Sequence, residues 1–233
     1  MRTQMNISLL KELEKYDTPT VCNALEMIDK NRKNFGYTQE SFFCLRPNMH
    51  PVVGVAKTAT MRSFGASDKS ADELKQERVK YYGYVYEGDY PKILILQDLD
   101  GAHRGHGPFF GEFNTRVHKF LGCTGVVTDS SIRDYQNLPD GIQILSAGLK
   151  PSHGNVHIVN YNTQVNVNGM VVTPGQIIHA DIHGAVAFSA DLMEQVIANA
   201  KLFMADEEPV ISACKDSENL TFDKLIEIYM GRK

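Results

Sequence analysis

The 233-residue chain has no apolar stretch approaching the ~20 residues that a bilayer-crossing helix needs. Ile93 to Leu96 is only strand-sized. It also has no run of five basic residues, and 24 Lys and Arg against 28 Asp and Glu leave a formal net charge of −4. A dedicated nucleic-acid binder concentrates positive charge on one face, so that class is excluded along with the membrane class. Cysteine is scarce. Cys22, Cys44, Cys123 and Cys214 stand too far apart for a CxxC pair or a zinc knuckle, which indicates reduced thiols in a cytosolic compartment rather than a disulfide framework. Met1 to Leu10 carries Arg2 but no apolar core or cleavage site, so no secretory signal is expected. Internal repeats, low-complexity tracts and linkers are missing. Ser130-Ser131 lies outside any Gly-x-Ser-x-Gly elbow, against a serine hydrolase. No Gly-x-Gly turn near the amino terminus offers to hold a nucleotide cofactor.

What is present is an ordinary globular composition, 42% hydrophobic and 22% charged. A chain this long buries ~70% of its unfolded surface and needs no metal or disulfide to fold. One α/β domain over residues 1–233 is expected. Asn6 is placed to cap a helix starting at Ile7, and Thr18 before Pro19 reads as the cap of a second. Residues 31–50 read as irregular, Gly54 to Met61 as a strand, and Lys69 to Tyr84 as a polar helix. The tyrosines at 81, 82, 84 and 86 read as a surface or subunit contact.

The middle of the chain alternates strand and helix. Lys92 to Gln97 is a buried strand, followed by a glycine-rich loop from Asp98 to Phe110. A helix from Gly111 to about Leu121 comes next, with Phe113, Val117, Phe120 and Leu121 as its apolar face. Gly125 to Asp129 and Ile142 to Ala147 are further strands. Beyond them, Asn168-Gly169 marks a hairpin, and Ile177 to Asp181 and Ala185 to Phe188 are two more strands. Ser189 is expected to cap a helix bearing Leu192, Val196, Ile197 and Ala200. A final helix runs from Thr221 to Met230.

Three features suggest chemistry. Gly111-Glu112-Phe113-Asn114 opens a helix, where backbone N–H groups lack intrahelical partners and the dipole is positive, which suits a carboxylate or phosphate. Arg133-Asp134 follows the strand Gly125 to Asp129; arginine grips carboxylates with a planar fork, and aspartate is a hard oxygen ligand for Mg²⁺. Either feature alone is an ordinary turn. Their spacing is the third feature: twenty residues, one helix and one returning strand, separate Glu112 from Arg133, which can bring both to one sheet edge.

The stretch from Lys92 to Ser146 resembles the RraA-like family, which includes divalent-metal-dependent 4-hydroxy-4-methyl-2-oxoglutarate aldolases. The resemblance rests on an acidic residue, twenty residues and Arg-Asp, here Glu112 and Arg133-Asp134. Asp100-Gly101 and Gly111 fit as well. Tyr16 to Leu25 is similar to the family's opening helix, and Gly169 to Gly184 to its closing β segment. The resemblance implies a swivelling β/β/α three-layer fold, a homotrimer or hexamer, and a cleft near a subunit interface. It implies that Gly111, Glu112, Phe113 and Asn114 hold a 2-oxo acid mostly through backbone N–H groups, that Arg133 grips its carboxylate or carbonyl oxygen, and that Asp134 binds Mg²⁺ or Mn²⁺ with Glu112 ordering the metal's waters. The chain departs from many members in having Glu at 112 rather than Asp, and Asn at 114 rather than a small aliphatic residue.

The function expected is a cytoplasmic, metal-dependent carbon–carbon lyase that passes through a pyruvate enolate, by retro-aldol cleavage, by decarboxylation of an oxaloacetate-like acid, or by both. His103 and Arg104 in the glycine-rich loop are expected to meet a second carboxylate, making the substrate dicarboxylic. His153, His157, His179 and His183 read as structural. The alternative is a non-catalytic, protein-binding regulator of ribonuclease activity, as some RraA-like proteins are.

Overall fold

Strand pairing follows the hydropathy pattern. In the computed structural model, which describes residues 5–231, the strands in chain order are β1 (Phe43–Cys44), β2 (Val52–Arg62), β3 (Lys92–Asp98), β4 (Cys123–Thr128), β5 (Gln143–Ser146), β6 (His157–Tyr161), β7 (Val165–Val167), β8 (Met170–Val172), β9 (Ile177–Asp181) and β10 (Gly184–Phe188). The helices are α1 (Ile7–Leu13), α2 (Thr18–Ile28), α3 (Ala71–Tyr86), α4 (Glu112–Phe120), α5 (Met193–Lys215) and α6 (Phe222–Met230). One mixed sheet has the order β1-β5-β4-β3-β2-β9-β10, with β6 also on β2, and β7–β8 forms a separate hairpin. Strands β2 to β5 are parallel neighbours; β1, β6, β9 and β10 run antiparallel to theirs.

The central strand shows why. Ile93, Leu94, Ile95 and Leu96 are all fully buried, as a parallel strand covered on both faces requires. Leu94 and Leu96 join Met61, Tyr81, Phe109, Val126 and Ile144 in the core beneath α3 and α4. Ile93 and Ile95 point the other way, onto Val165, Val167, Met170 and Val172 of the hairpin. A third core packs α1, α2 and α5 against Val53, Val55, Ile177, Val186 and Phe188. Each fully buried aliphatic side chain contributes roughly 1.5–3 kcal/mol. The result is the expected α/β, swivelling β/β/α-type fold. The hairpin turn also matches its sequence, with Asn168 at φ 47° and Gly169 at φ 85°, both positive as a type I′ turn demands.

Several local expectations are corrected. The cap of α2 is Asp17, whose side chain accepts from the Thr20 N–H at 2.8 Å; the Thr18 hydroxyl instead meets His179 Nδ1 at 3.0 Å. Ser189 makes no side-chain cap, and a short turn over Ala190–Leu192 precedes α5. The tyrosines are not a shared surface: Tyr81 and Tyr84 are buried, and only Tyr86 is well exposed. Helix α4 keeps only half of its expected apolar face inside: Leu121 and Val117 pack in the core, but Asn114, Thr115 and His118 are buried with them while Phe113 and Phe120 stand 71% and 81% exposed. Strand β6, with His157, adds a strand on β2 whose bounds the sequence pattern does not delimit. All four cysteines are free. The segment carrying Arg2 lies outside the described residues. No helix among the described residues is long and apolar enough to cross a membrane.

Candidate active site

Ligands of open α/β sheets bind beyond the carboxyl ends of the parallel strands, and there the chain forms its candidate cleft. Parallel bridges join Phe110 to Ile132 and Ile132 to Leu149, so the segments leaving β3, β4 and β5 stay side by side. The Arg133 N–H donates to the Phe110 carbonyl at 2.9 Å, which sets Arg133-Asp134 beside the start of α4. Gly111, Phe113, Asn114, Arg133 and Asp134 line one cleft of about 640 Å³.

Asp134 holds a left-handed backbone conformation, φ 56° and ψ 35°, which aspartate tolerates better than most residues. Its Oδ2 accepts the Glu112 N–H at 3.1 Å and lies 3.6 Å from Arg133 Nε. The carboxylate of a neighbouring segment therefore occupies one N–H of the first turn of α4, whose own Gly111 supplies no side-chain cap. The Phe113 and Asn114 N–H groups, in that same turn, have no intrahelical acceptor. Gly111 is required by closeness. A Cβ there would stand 2.5 Å from Asp134 Oδ2 and 3.0 Å from Arg133 Cγ.

The remaining expected residues divide. The Glu112 carboxylate turns along its helix to Arg116, at 2.9 Å from Nε and 2.8 Å from Nη2, so Glu112 faces the cleft region through its backbone. The Asn114 amide is engaged internally: Oδ1 accepts from the Tyr82 hydroxyl at 2.9 Å, and Nδ2 donates to the Phe109 carbonyl at 2.7 Å. Behind it, the His118 ring bridges the Tyr81 hydroxyl and the Asn114 carbonyl, each at 2.7 Å. Burial holds the His118 pKa down to about 4, so this ring is neutral and ties α3 to α4.

The glycine-rich loop does not deliver its basic groups to the cleft. His103 stacks on Phe64 at 3.8 Å between ring centroids, and Arg104 reaches Glu40 Oε2 at 2.9 Å and Asp129 Oδ2 at 3.6 Å. Arg104 answers a buried acid pair: the Asp98 N–H donates to Asp129 Oδ1 at 2.7 Å, and the Gly105 N–H to Asp98 Oδ2 at 2.9 Å. Burial pushes the Asp129 carboxyl up to about 7 against the pull of the Asp98 N–H and Arg104, and burial raises Asp98 too. An acid whose folded pKa is raised contributes stability that is complete below its unfolded pKa and lost as pH rises through the folded value. For Asp129 that window runs from about pH 4 to about pH 7. Asp129→Asn is therefore expected to flatten the fall in melting temperature between about pH 5.5 and about pH 8. His118, whose effect runs the other way at acid pH, is common to both proteins. Equal slopes in wild type and variant overturn this assignment.

The sequence reading missed Arg78, His153, Asn155 and His157, all of which line the cleft. Arg78 sits on a helix read as a solvated face, and its one local signal is the tyrosine four residues on. His153 and His157 line the cleft while each Nδ1 sits 2.7 Å from a backbone carbonyl, of Gly154 and Asn155; His179 fits the structural reading, with its Nε2 3.2 Å and 3.0 Å from the Leu13 and Tyr16 carbonyls.

The cleft's donor set can be matched to a metal. Among the described residues Asp134 is the lone carboxylate lining it, and no group of three His, Cys, Asp or Glu is placed to hold a metal. That does not fit zinc. It fits Mg²⁺, which keeps several waters and binds through one or two carboxylates plus substrate oxygens.

Fold and cleft together define an α/β protein of the swivelling type, with an Arg-Asp turn set against a helix start. A family model described as RraA-like, Aldolase/RraA, matches residues 18–187, and the chain belongs to this family. A Halalkalibacterium halodurans protein named "Putative 4-hydroxy-4-methyl-2-oxoglutarate aldolase" is 29% identical over 140 residues, covering 57% of this chain and 63% of that one. An uncharacterized Methanocaldococcus jannaschii protein is 29% identical over 119 residues, 50% of this chain and 57% of that one. The chain thus matches less than two thirds of the length of these curated relatives. Among solved structures, an uncharacterized protein from Pseudomonas syringae pv. tomato has a TM-score of 0.69 at 18% identity, covering 96% of this chain and 98% of that one. Streptomyces coelicolor RraAS2, described as an unusual member of the RNase ES inhibitor RraA protein family, has a TM-score of 0.69 at 20% identity, covering 89% and 98%. These structural likenesses show the fold.

Proposed function

We propose that the protein is a divalent-metal-dependent lyase that cleaves a dicarboxylic 2-oxo acid through a pyruvate enolate, by retro-aldol cleavage or loss of carbon dioxide. One observation carries the reading: a left-handed aspartate turns Arg133 and its own carboxylate onto the open first turn of α4, with Glu112 N–H to Asp134 Oδ2 at 3.1 Å. Arg133, with its guanidinium 3.6 Å from Asp134 at Nε, grips the substrate's carboxylate with its outer N–H groups. The Phe113 and Asn114 N–H groups receive the negative charge that develops on the 2-oxo oxygen as the carbon–carbon bond breaks. The electrons of the broken bond pass into the enolate; the other fragment leaves as a carbonyl compound, its hydroxyl proton going to water, or as carbon dioxide, and a proton from water is added at C3. Asp134 would hold a divalent cation, which when bound would supply Lewis-acid polarisation of the 2-oxo group. Glu112 acts through its backbone, fixing the Asp134 carboxylate, while its side chain stays on Arg116.

The test is a panel of 2-oxo acids, including oxaloacetate and 4-hydroxy-2-oxo diacids, assayed for pyruvate release with Mg²⁺ and with excess chelator. Release that depends on the cation is the expected result. No release from any acid overturns the lyase and leaves the ribonuclease-regulator reading. The lyase is proposed to assemble as a homotrimer or a pair of trimers, because the exposed Phe113 and Phe120 and the α6 residues Phe222, Ile226 and Met230 leave apolar surface to cover. Light scattering that gives a single 26.1 kDa chain overturns that assembly.

A further inference from the structure

The cleft contains a second guanidinium that the acid-binding turn does not account for. Arg78, on α3, lines the same wall as Leu74, Phe109 and Asn114. Its Cζ stands 5.1 Å from the centroid of the Phe109 ring, so the planar group rests on an aromatic face. Among the described residues the only carboxylate lining the cleft is Asp134, and that one lies against Arg133 Nε and the Glu112 N–H. Arg78 hydrogen-bonds the Tyr82 hydroxyl but has no ion-pair partner among the described residues; a half-buried guanidinium without a counter-ion is costly to desolvate, and its fork of donors matches a planar carboxylate.

The platform beneath Arg78 is joined to the reacting end. The Phe109 carbonyl accepts from Asn114 Nδ2 at 2.7 Å, and Asn114 Oδ1 accepts from Tyr82, one turn along α3 from Arg78. The position of Arg78 relative to the first turn of α4 is therefore fixed by buried hydrogen bonds. The cleft, at about 640 Å³, is also sized for more than a three-carbon acid. Arg104, the other loop cation, is held by Glu40 and Asp129 and is not available for the same task.

We infer that Arg78 is the specificity-determining residue of the cleft, gripping the distal carboxylate of a dicarboxylic 2-oxo acid whose reacting end lies at Arg133 and Asp134. The inference rests on the lyase reading above and deepens it. A grip remote from the breaking bond acts on binding, so it appears in KM more than in kcat.

The experiment compares kcat/KM for two 4-hydroxy-2-oxo acids that differ only in a terminal carboxylate or methyl group, in wild type, Arg78→Lys and Arg78→Met. Methionine keeps a long apolar stem against Phe109, so packing is retained while the donors are removed. The diacid-to-monoacid ratio is expected to fall at least about tenfold in Arg78→Met, chiefly through KM, and by less in Arg78→Lys. A ratio equal to wild type in Arg78→Met overturns the inference while leaving the lyase standing. If the wild type releases no pyruvate, the lyase reading has failed, and calorimetric titration with 2-oxoglutarate and 2-oxobutanoate in Mg²⁺ decides for Arg78. Preference for the diacid that disappears in Arg78→Met supports it; equal affinity for both acids in wild type overturns it.

Discussion

Asp134→Asn is expected to lower pyruvate release by at least about a hundredfold and to remove its response to Mg²⁺. Asparagine is the informative replacement. It tolerates the left-handed backbone, φ 56° at this position, and its side-chain oxygen can still accept the Glu112 N–H. What disappears is the negative charge that a hard cation needs. Alanine would mix that loss with strain at the same φ. Arg133→Lys tests the partner: lysine keeps the charge but not the planar fork, and a loss of about a hundredfold is expected from the misaligned donors. A titration of Mg²⁺ against turnover for all three proteins reads both effects. Wild-type turnover in excess chelator would sink the metal role, and wild-type kinetics in Arg133→Lys would make that arginine structural.

The parts of this cleft that follow β3 and β4 were legible in the sequence because strands buried on both faces leave an unmistakable mark. Ile93 to Leu96 has no polar interruption, and the twenty-residue interval to Arg133 has room for one helix and one return strand. Parallel pairing of β3 with β4 then brings the two segments to one edge. The orientation of α4 was not legible, for a definite reason. Apolar periodicity presumes that a helix buries its apolar face, whereas α4 buries Asn114, Thr115 and His118. These polar groups are tolerated inside because each is partnered: His118 with Tyr81 and the Asn114 carbonyl, Asn114 with Tyr82 and the Phe109 carbonyl, Thr115 with the Gly111 carbonyl. Buried polar groups with complete hydrogen bonds cost little, and hydropathy has no way to register the partners, which are backbone carbonyls and, for His118 and Asn114, tyrosines more than thirty residues away on α3. The same distance hid Arg78. Arg104 misled for the opposite reason, since its carboxylate partners, Glu40 and Asp129, come from two other segments.

Gly111→Ala is expected to separate activity from stability more cleanly than any other single change. The backbone at 111 is extended, φ −133° and ψ −166°, a region open to alanine, so no conformational strain follows from the substitution itself. The added methyl instead meets Asp134 Oδ2 at 2.5 Å, Arg133 Cγ at 3.0 Å and Arg133 Nε at 3.1 Å. Both neighbours are side-chain atoms on a half-exposed turn, and they can retreat into the cleft at modest cost. The fold survives, with a change on the order of 1 kcal/mol, while the carboxylate leaves the Glu112 N–H and the arginine fork shifts off its substrate. A displacement of about 1 Å in positioning groups can cost about a hundredfold in rate. The expected result is therefore a melting temperature within a few degrees of wild type and a kcat lower by about that factor. Unchanged kcat in a well-folded Gly111→Ala protein would show that the close approach of this backbone to Arg133 and Asp134 is not part of the reaction.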